Sequence, residues 1–270
     1  MSEKKRADIV LVQKKLCESR ERAQAAIMEG RVFLNDRRIN KPSELINEND
    51  PVVLKATGTE YVSRGALKLE KALRVFNADL LDKTVMDIGA STGGFTDVCL
   101  RNGARHVYSI DVGYGQFDWK LRNDPRVTVM ERTNARYLTS AMFPVLPSVT
   151  VMDVSFISIK LIIPAAIRIM GDNGVFYTLI KPQFEAGREY VGKNGVIRDP
   201  RIHQTVLNDI VEFTESIGWK VTAVSYSPIT GPKGNIEFLA EIRNNPDSIS
   251  VGSETIIETV ENAHKEMTHS

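Results

Sequence analysis

The stretch Val85-Met86-Asp87-Ile88-Gly89-Ala90-Ser91-Thr92-Gly93-Gly94-Phe95 decides how the chain is read. A short apolar run ends in an acid, three glycines and two hydroxyl residues follow, and a helix-like pattern starts at Phe95-Thr96-Asp97-Val98. This is strand, tight turn and helix. Glycine admits backbone conformations closed to other residues, and the free amides of a helix start suit an anionic or polar ligand group. The spacing Gly-x-x-x-Gly-Gly differs from the Gly-x-Gly-x-x-Gly of dinucleotide enzymes and from the phosphate loop of nucleotide triphosphatases.

Asp87 stands two residues before the first glycine, where it can serve an ammonium through a water or the backbone. Asp111 ends the next apolar run, Val107-Tyr108-Ser109-Ile110, at the place where such folds hold ribose hydroxyls. An ammonium site beside a ribose site points to S-adenosylmethionine. An ordinary strand–helix turn would show the same glycines; Asp111 tips the reading towards the cofactor. The expected cofactor-binding set is Asp87, Gly89, Ser91, Gly93, Gly94, Phe95 and Asp111, with Asn134 after the third strand for the adenine edge.

Around that turn the chain alternates strand and helix. Strands are expected at Thr84–Ile88, His106–Ile110, Val127–Met130, Val149–Asp153, Gly174–Ile180, Lys220–Ser227 and Glu237–Ile242. This predicts a doubly wound α/β sheet of Rossmann-like type. The last two strands flank Thr230-Gly231-Pro232-Lys233-Gly234-Asn235 and are expected to form an antiparallel hairpin at one side of the sheet. Before the first strand, Gly65–Phe76 reads as a helix whose apolar stripe includes Leu69, Ala72 and Leu73, with Lys68, Lys71 and Arg74 off it. The expected division is 1–56, a linker over 57–64, a main domain over 65–245 and an acidic tail over 246–270 with a helix near Thr255–Lys265.

A chain of 270 residues with 42% hydrophobic and 26% charged content is globular in composition. The net charge of +1 is unevenly spread, since residues 1–41 hold eleven Lys/Arg against six Asp/Glu. That front-loaded excess is the footprint of a nucleic-acid-binding piece, although a solvated helix face would show it too. Cys17 and Cys99 fit no metal spacing and read as reduced thiols of a cytoplasmic protein; no metal is expected. The start lacks a signal-peptide core, and Leu161–Ile167 is far short of a membrane span.

Within that basic piece, Arg6-x-Asp8, Ser19-Arg20-x-x-Ala23, Gly30-x-Val32 and Asn35 resemble the small α-L RNA-binding fold of a small-subunit ribosomal protein and many pseudouridine synthases. The resemblance implies a small α+β domain resting on structured RNA. Arg6, Arg20, Arg22, Arg31, Arg37 and Lys41 are then the expected phosphate contacts, which position without reading sequence.

Four charged residues fall where a doubly wound sheet gathers its ligands. Asp153 and Lys181 close apolar strands, Glu237 opens the last one, and Lys68 lies on the preceding helix. A lysine just beyond a buried strand is costly to desolvate and needs a carboxylate partner or a lowered pKa. Arg64-x-x-x-Lys68-Leu69, the Asp87–Phe95 turn, Asp153, Lys181-Pro182 and Glu237 resemble the FtsJ-type ribose methyltransferases. Their Lys-Asp-Lys-Glu tetrad falls on Lys68, Asp153, Lys181 and Glu237. Thr92 stands where many of those proteins have Pro. With an α-L domain ahead, the whole is similar to the TlyA family, whose members carry both haemolysin and rRNA 2′-O-methyltransferase names. Tyr61-Val62-Ser63-Arg64-Gly65, Met152-Asp153-Val154-Ser155-Phe156-Ile157-Ser158 and Lys181-Pro182-Gln183-Phe184-Glu185 carry that resemblance.

The resemblance implies methyl transfer from S-adenosylmethionine to a ribose 2′-hydroxyl of ribosomal RNA, with cytidine the expected target. Lys181 is then the base, Lys68 and Asp153 orient the hydroxyl, and Glu237 holds a lysine. Three rivals stand beside it. A base methyltransferase acting on an exocyclic amine usually shows prolines where Asp153-Val154-Ser155-Phe156 stands. A non-enzymatic ribosome-binding factor would have no use for the tetrad, and a membrane-active haemolysin would need an amphipathic or spanning stretch.

Overall fold

The computed structural model describes residues 4–28, 30–34, 37–48, 50–54, 61–171, 173–192 and 194–267, with Arg38 and Arg188 described by their backbone alone. The chain divides into two compact units, Met1–Glu60 and Tyr61–Ser270. Asn35 of the α-L pattern and the first half of the expected linker, 57–60, lie outside the described residues.

The first unit runs β1 (Lys4–Arg6), α1 (Ala7–Gln13), α2 (Arg20–Met28), β2 (Val32–Leu34), β3 (Arg37–Arg38), β4 (Leu45–Asn47) and β5 (Val52–Leu54). The Ser19 hydroxyl accepts from the Arg22 amide at the start of α2, and Gly30, at φ 74°, turns the chain after its end. Ala7, Val10, Leu11, Ala23, Ala26, Ile27 and Val32 share one small core. At its margin Asp8 is fully buried. Arg6 grips its carboxylate through Nε and Nη2, at 3.0 and 2.9 Å, and Arg20 Nε and Gln24 Nε2 add bonds at 3.1 and 2.9 Å. The Arg6 hydrogen bond, with help from Gln24 and Arg20, holds this carboxyl well below the usual range against the opposing effect of burial.

The second unit runs α3 (Ala66–Val75), β6 (Thr84–Ile88), α4 (Gly94–Arg101), β7 (His106–Ile110), α5 (Trp119–Arg122), β8 (Val127–Met130), β9 (Val149–Met152), α6 (Ile163–Met170), β10 (Val175–Ile180), α7 (Pro182–Glu185), α8 (Pro200–Ser216), β11 (Lys220–Tyr226), β12 (Phe238–Arg243) and α9 (Ser253–Met267). Its seven-stranded sheet has the order β11-β12-β10-β9-β6-β7-β8. β8, β7, β6, β9 and β10 are parallel, while β12 is antiparallel to both β10 and β11. This is the doubly wound sheet with an antiparallel end that the alternating pattern predicts.

Strand alternation sorts side chains to two faces. Met86, Ile88, Met152, Phe176, Ile180, Phe238 and Ala240 enter one core with residues of α6, α8 and α9. Val85, Val149, Val151, Tyr177, Leu179 and Leu239 enter the other with α3 and α4. α9 is no free tail. It buries Ile256, Val260 and Ala263 in the first core, so the chain beyond Asn244 belongs partly to the fold.

Candidate active site

Four strand ends converge on one spot because the central strands are parallel and adjacent. The β6 end leads into the glycine turn, β9 into Asp153 and β10 into Lys181. β12 runs the other way, so its start, preceded by Glu237, lies opposite the β10 end, with Ile180 in register with Phe238. α3 covers that edge and brings Lys68.

The four groups form a chain of alternating charge. Glu237 Oε2 is 2.6 Å from Lys68 Nζ, Lys68 Nζ is 3.4 Å from Asp153 Oδ2, and Asp153 Oδ1 is 2.5 Å from Lys181 Nζ. The last contact is an ion pair outside hydrogen-bond angles. Lys181 Nζ also donates to Ser155 Oγ at 2.9 Å. Glu237 is 1% exposed, Lys68 7% and Lys181 8%, so both ammoniums sit where only a carboxylate makes a charge tolerable. Lys68 thus departs from the sequence expectation: it faces inward with Leu69 and Ala72 rather than lying off the buried stripe. Glu237 precedes its strand rather than opening it.

The glycine turn touches this chain directly. Gly89, at φ +85°, places its Cα against the Asp153 main chain, and a Cβ there would overlap the Asp153 carbonyl oxygen. Gly93, at φ +98°, would drive a Cβ to 2.5 Å from Leu121 Cδ1. A Cβ on Gly94 would strike Ser63 Oγ, just ahead of the lysine helix. Each position is therefore filled by protein, and glycine serves the close packing of turn, acid and helix as much as any ligand.

The other expected cofactor residues differ in their surroundings. Asp111 receives the Ser91 amide on Oδ2 and the Gly113 amide on Oδ1, both at 2.7 Å, and stays partly exposed. Each carboxylate oxygen keeps acceptor capacity for a hydroxyl. Ser91 is exposed at φ 49°. Asn134 caps the turn Ala135–Tyr137, its Oδ1 accepting from the Arg136 amide.

Two of the expected side chains are buried. Phe95 is 4% exposed and its ring belongs to the core, so only its backbone faces the turn. Asp87 is fully buried: Oδ2 accepts from Thr96 Oγ1 at 2.6 Å, and Thr96 Oγ1 is 2.7 Å from Ser109 Oγ. Burial raises its pKa to about 7, against the Thr96 hydroxyl. Asp87 therefore braces the turn from beneath. Its Oδ1 is buried without a protein partner.

In the first unit, Arg6 and Arg20 are tied to Asp8, Arg37 to Glu44 at 2.6 Å and Arg22, at 3.9 Å, to Glu18. Arg22 is 66% exposed, and Lys41 is exposed. Arg31 is half-buried.

Sequence reasoning did not single out Ser155, Phe156 or Glu185, although all three lie in quoted motifs. Phe156 is 92% exposed with φ 67°, rare for an aromatic residue, and its ring lies 5.2 Å from that of Phe184. Phe156 and Phe184, with Arg136, Ser158, Leu161 and Gln183, line an open cavity of about 540 Å³. Among the described residues, no cluster of His, Cys, Asp or Glu has the makings of a metal site, and no helix is long and apolar enough to cross a membrane.

Comparison with known proteins follows this geometry. The candidate rRNA methyltransferase YqxC of Bacillus subtilis (strain 168) is 48% identical over 268 residues, covering 98% of this chain and 95% of that protein. The 16S/23S rRNA (cytidine-2′-O)-methyltransferase TlyA of Mycobacterium tuberculosis is 39% identical over 249 residues, 92% of each. A solved structure from Streptococcus thermophilus, described as a candidate hemolysin, is 46% identical with a TM-score of 0.78, and the match covers 100% of this chain and 98% of that one. An S4 domain matches residues 5–52. Residues 61–243, which hold the glycine turn and all four charged groups, match the FtsJ-like methyltransferases, and the chain belongs to that family.

Proposed function

We propose that the chain methylates the 2′-hydroxyl of a cytidine in ribosomal RNA, with S-adenosylmethionine as donor, in the cytoplasm. The observation that carries this reading is the pair of buried lysines on one aspartate, abutting the glycine turn. The rRNA methyltransferase names of the relatives support the choice of substrate.

The turn suits the donor. Gly89 and Gly93 hold positive φ, Ser91 is exposed, and Asp111 keeps lone pairs for ribose hydroxyls. The unpartnered Asp87 Oδ1 fits a water that reaches towards an ammonium. When bound, S-adenosylmethionine supplies an electrophilic methyl group on a sulfonium. The chain's own residues do the rest. Lys181, as the free amine, accepts the 2′-hydroxyl proton. Asp153 and Ser155 hold that amine. Lys68, fixed by Glu237, keeps a positive charge near the developing alkoxide. Much of the acceleration comes from holding the hydroxyl in line with the methyl group. Phe156 and Phe184 offer apolar faces beside Lys181 on which a nucleobase stacks. The first unit supplies RNA affinity through Arg22, Lys41 and their neighbours.

The test is tritiated methyl transfer to ribosomal RNA followed by alkaline hydrolysis. A 2′-methyl group blocks cleavage on its 3′ side, so label is expected in an alkali-resistant dinucleotide containing cytidine. Label in ordinary mononucleotides would instead favour base methylation.

A further inference from the structure

The mechanism leaves one half-buried acid without a task. Glu185 ends α7, four residues beyond Lys181. Its Oε2 accepts from Ser158 Oγ at 2.6 Å and its Oε1 from the Ile159 amide at 2.9 Å. Ser158 Oγ in turn accepts from the Lys160 amide at 3.1 Å. Glu185 therefore reaches from the β10 side of the site to cap the turn that follows β9.

The segment it pins carries the chemistry. Between Asp153 and Ser158 stand Ser155, which accepts from Lys181 Nζ at 2.9 Å, and Phe156 at φ 67°. A non-glycine residue held there is strained and persists only when its flanks are restrained. Beyond Asp153 itself, three restraints come from one stretch: Lys181 on Ser155, Phe184 against Phe156, and Glu185 on Ser158 and Ile159.

Ser155 matters because of what a neutral amine offers. It has two hydrogens and one lone pair. Ser155 Oγ accepts one of the hydrogens at 2.9 Å, and Asp153 Oδ1 stands 2.5 Å away as an ion-pair partner, so the two together narrow the directions open to the lone pair and the incoming hydroxyl. Without Ser155, the amine rotates about its last bond with only Asp153 to direct it.

We propose that Glu185 is a positioning residue of the methyl transfer, fixing the Asp153–Ser158 segment so that Ser155 holds the direction of the Lys181 amine. This rests on the proposed ribose methylation.

The experiment is a double-mutant cycle on the full chain, with ribosomal RNA as substrate and S-adenosylmethionine as donor. Glu185→Ala is expected to lower kcat by about 10- to 100-fold, the scale of a misplaced reacting group, with KM for the donor within about twofold. Glu185→Gln is expected to recover most of that loss, since its amide oxygen can accept from Ile159 and its amide nitrogen can donate to Ser158. Ser155→Ala is expected to match Glu185→Ala, and the double variant to fall no more than about threefold below either single one. Full kcat in Glu185→Ala, failure of Glu185→Gln to rescue, or multiplied losses in the double variant each overturn the proposal. Should Glu185→Ala not fold, Ser158→Ala, which removes one of the two bonds, takes its place in the cycle with a smaller loss expected under the same criterion. A wild-type protein that leaves no alkali-resistant label defeats the parent reading, whereas normal wild-type labelling with a failed cycle defeats only the role of Glu185.

Discussion

Replacing Glu237 by Gln removes the closest partner of a buried ammonium, and its cost can be worked from the geometry. Glu237 is 1% exposed and sits 2.6 Å from Lys68 Nζ, whereas the next carboxylate oxygen, on Asp153, is 3.4 Å away and shared with Lys181. Breaking a buried pair costs about 3–5 kcal/mol; the remaining Asp153 contact places this case near about 3 kcal/mol. That is a large part of the stability of an ordinary domain. Urea unfolding followed by tryptophan fluorescence measures it, because both tryptophans, Trp119 and Trp219, lie in the second unit and the first contributes no signal. Methyl transfer should fall as Lys68 loses its fixed position. The control is Lys68→Met with Glu237→Leu. Apolar replacement of both partners of a buried pair is often neutral or stabilising, so this double variant should regain most of the stability and none of the activity. Full activity together with a stability change below about 0.5 kcal/mol in Glu237→Gln would refute the argument, since so small a change is typical of a surface site.

Gly89→Ala places a methyl group on the Asp153 carbonyl at a φ of +85°, so soluble protein with more than about tenfold loss of methyl transfer is expected, read by the same tritium assay. Asp87, with its pKa raised to about 7 by burial, stays protonated in the folded state at pH values where the unfolded chain is ionised; stability therefore falls as pH rises from about 4 to 7 and levels off above that, by roughly 4 kcal/mol at most. Asp87→Asn removes this loss, and denaturant midpoints should show the variant gaining on wild type at pH 8 but not at pH 4. In the first unit, Arg22→Ala should weaken RNA binding and flatten its salt dependence without altering the fold, while Arg20→Ala should also loosen the unit because buried Asp8 loses a partner. Circular dichroism melts beside RNA titrations at several salt concentrations separate the two effects.

Much of this protein was legible as sequence because its signals are local. The apolar runs at Thr84–Ile88, His106–Ile110 and Val127–Met130 match the strands residue for residue, and the Gly/Pro stretch before Asn235 marks the change from parallel to antiparallel pairing. The tetrad was recoverable because its members follow family motifs in chain order. Which group meets which was not legible. Lys68 and Glu237 are separated by 169 positions and Lys68 and Asp153 by 85, so the contacts need α3 packed on the sheet and, for Glu237, β12 inserted between β10 and β11. A helical pattern placed Lys68 off the apolar stripe because periodicity cannot tell that the neighbouring surface offers two carboxylates. The cover over Asp87 was not legible either, because an acid at a strand end looks the same whether the next helix leaves it open or, as here, covers it with Thr96. The glycines of the turn were placed by their spacing, but the reason for Gly89 lies in the Asp153 backbone, 64 positions on. Local sequence determined which segments become strand, turn and helix, since that depends on propensity and periodicity within a few residues. The tertiary structure alone decided which charges are buried together, because the energy of a buried charge depends on its neighbours in space.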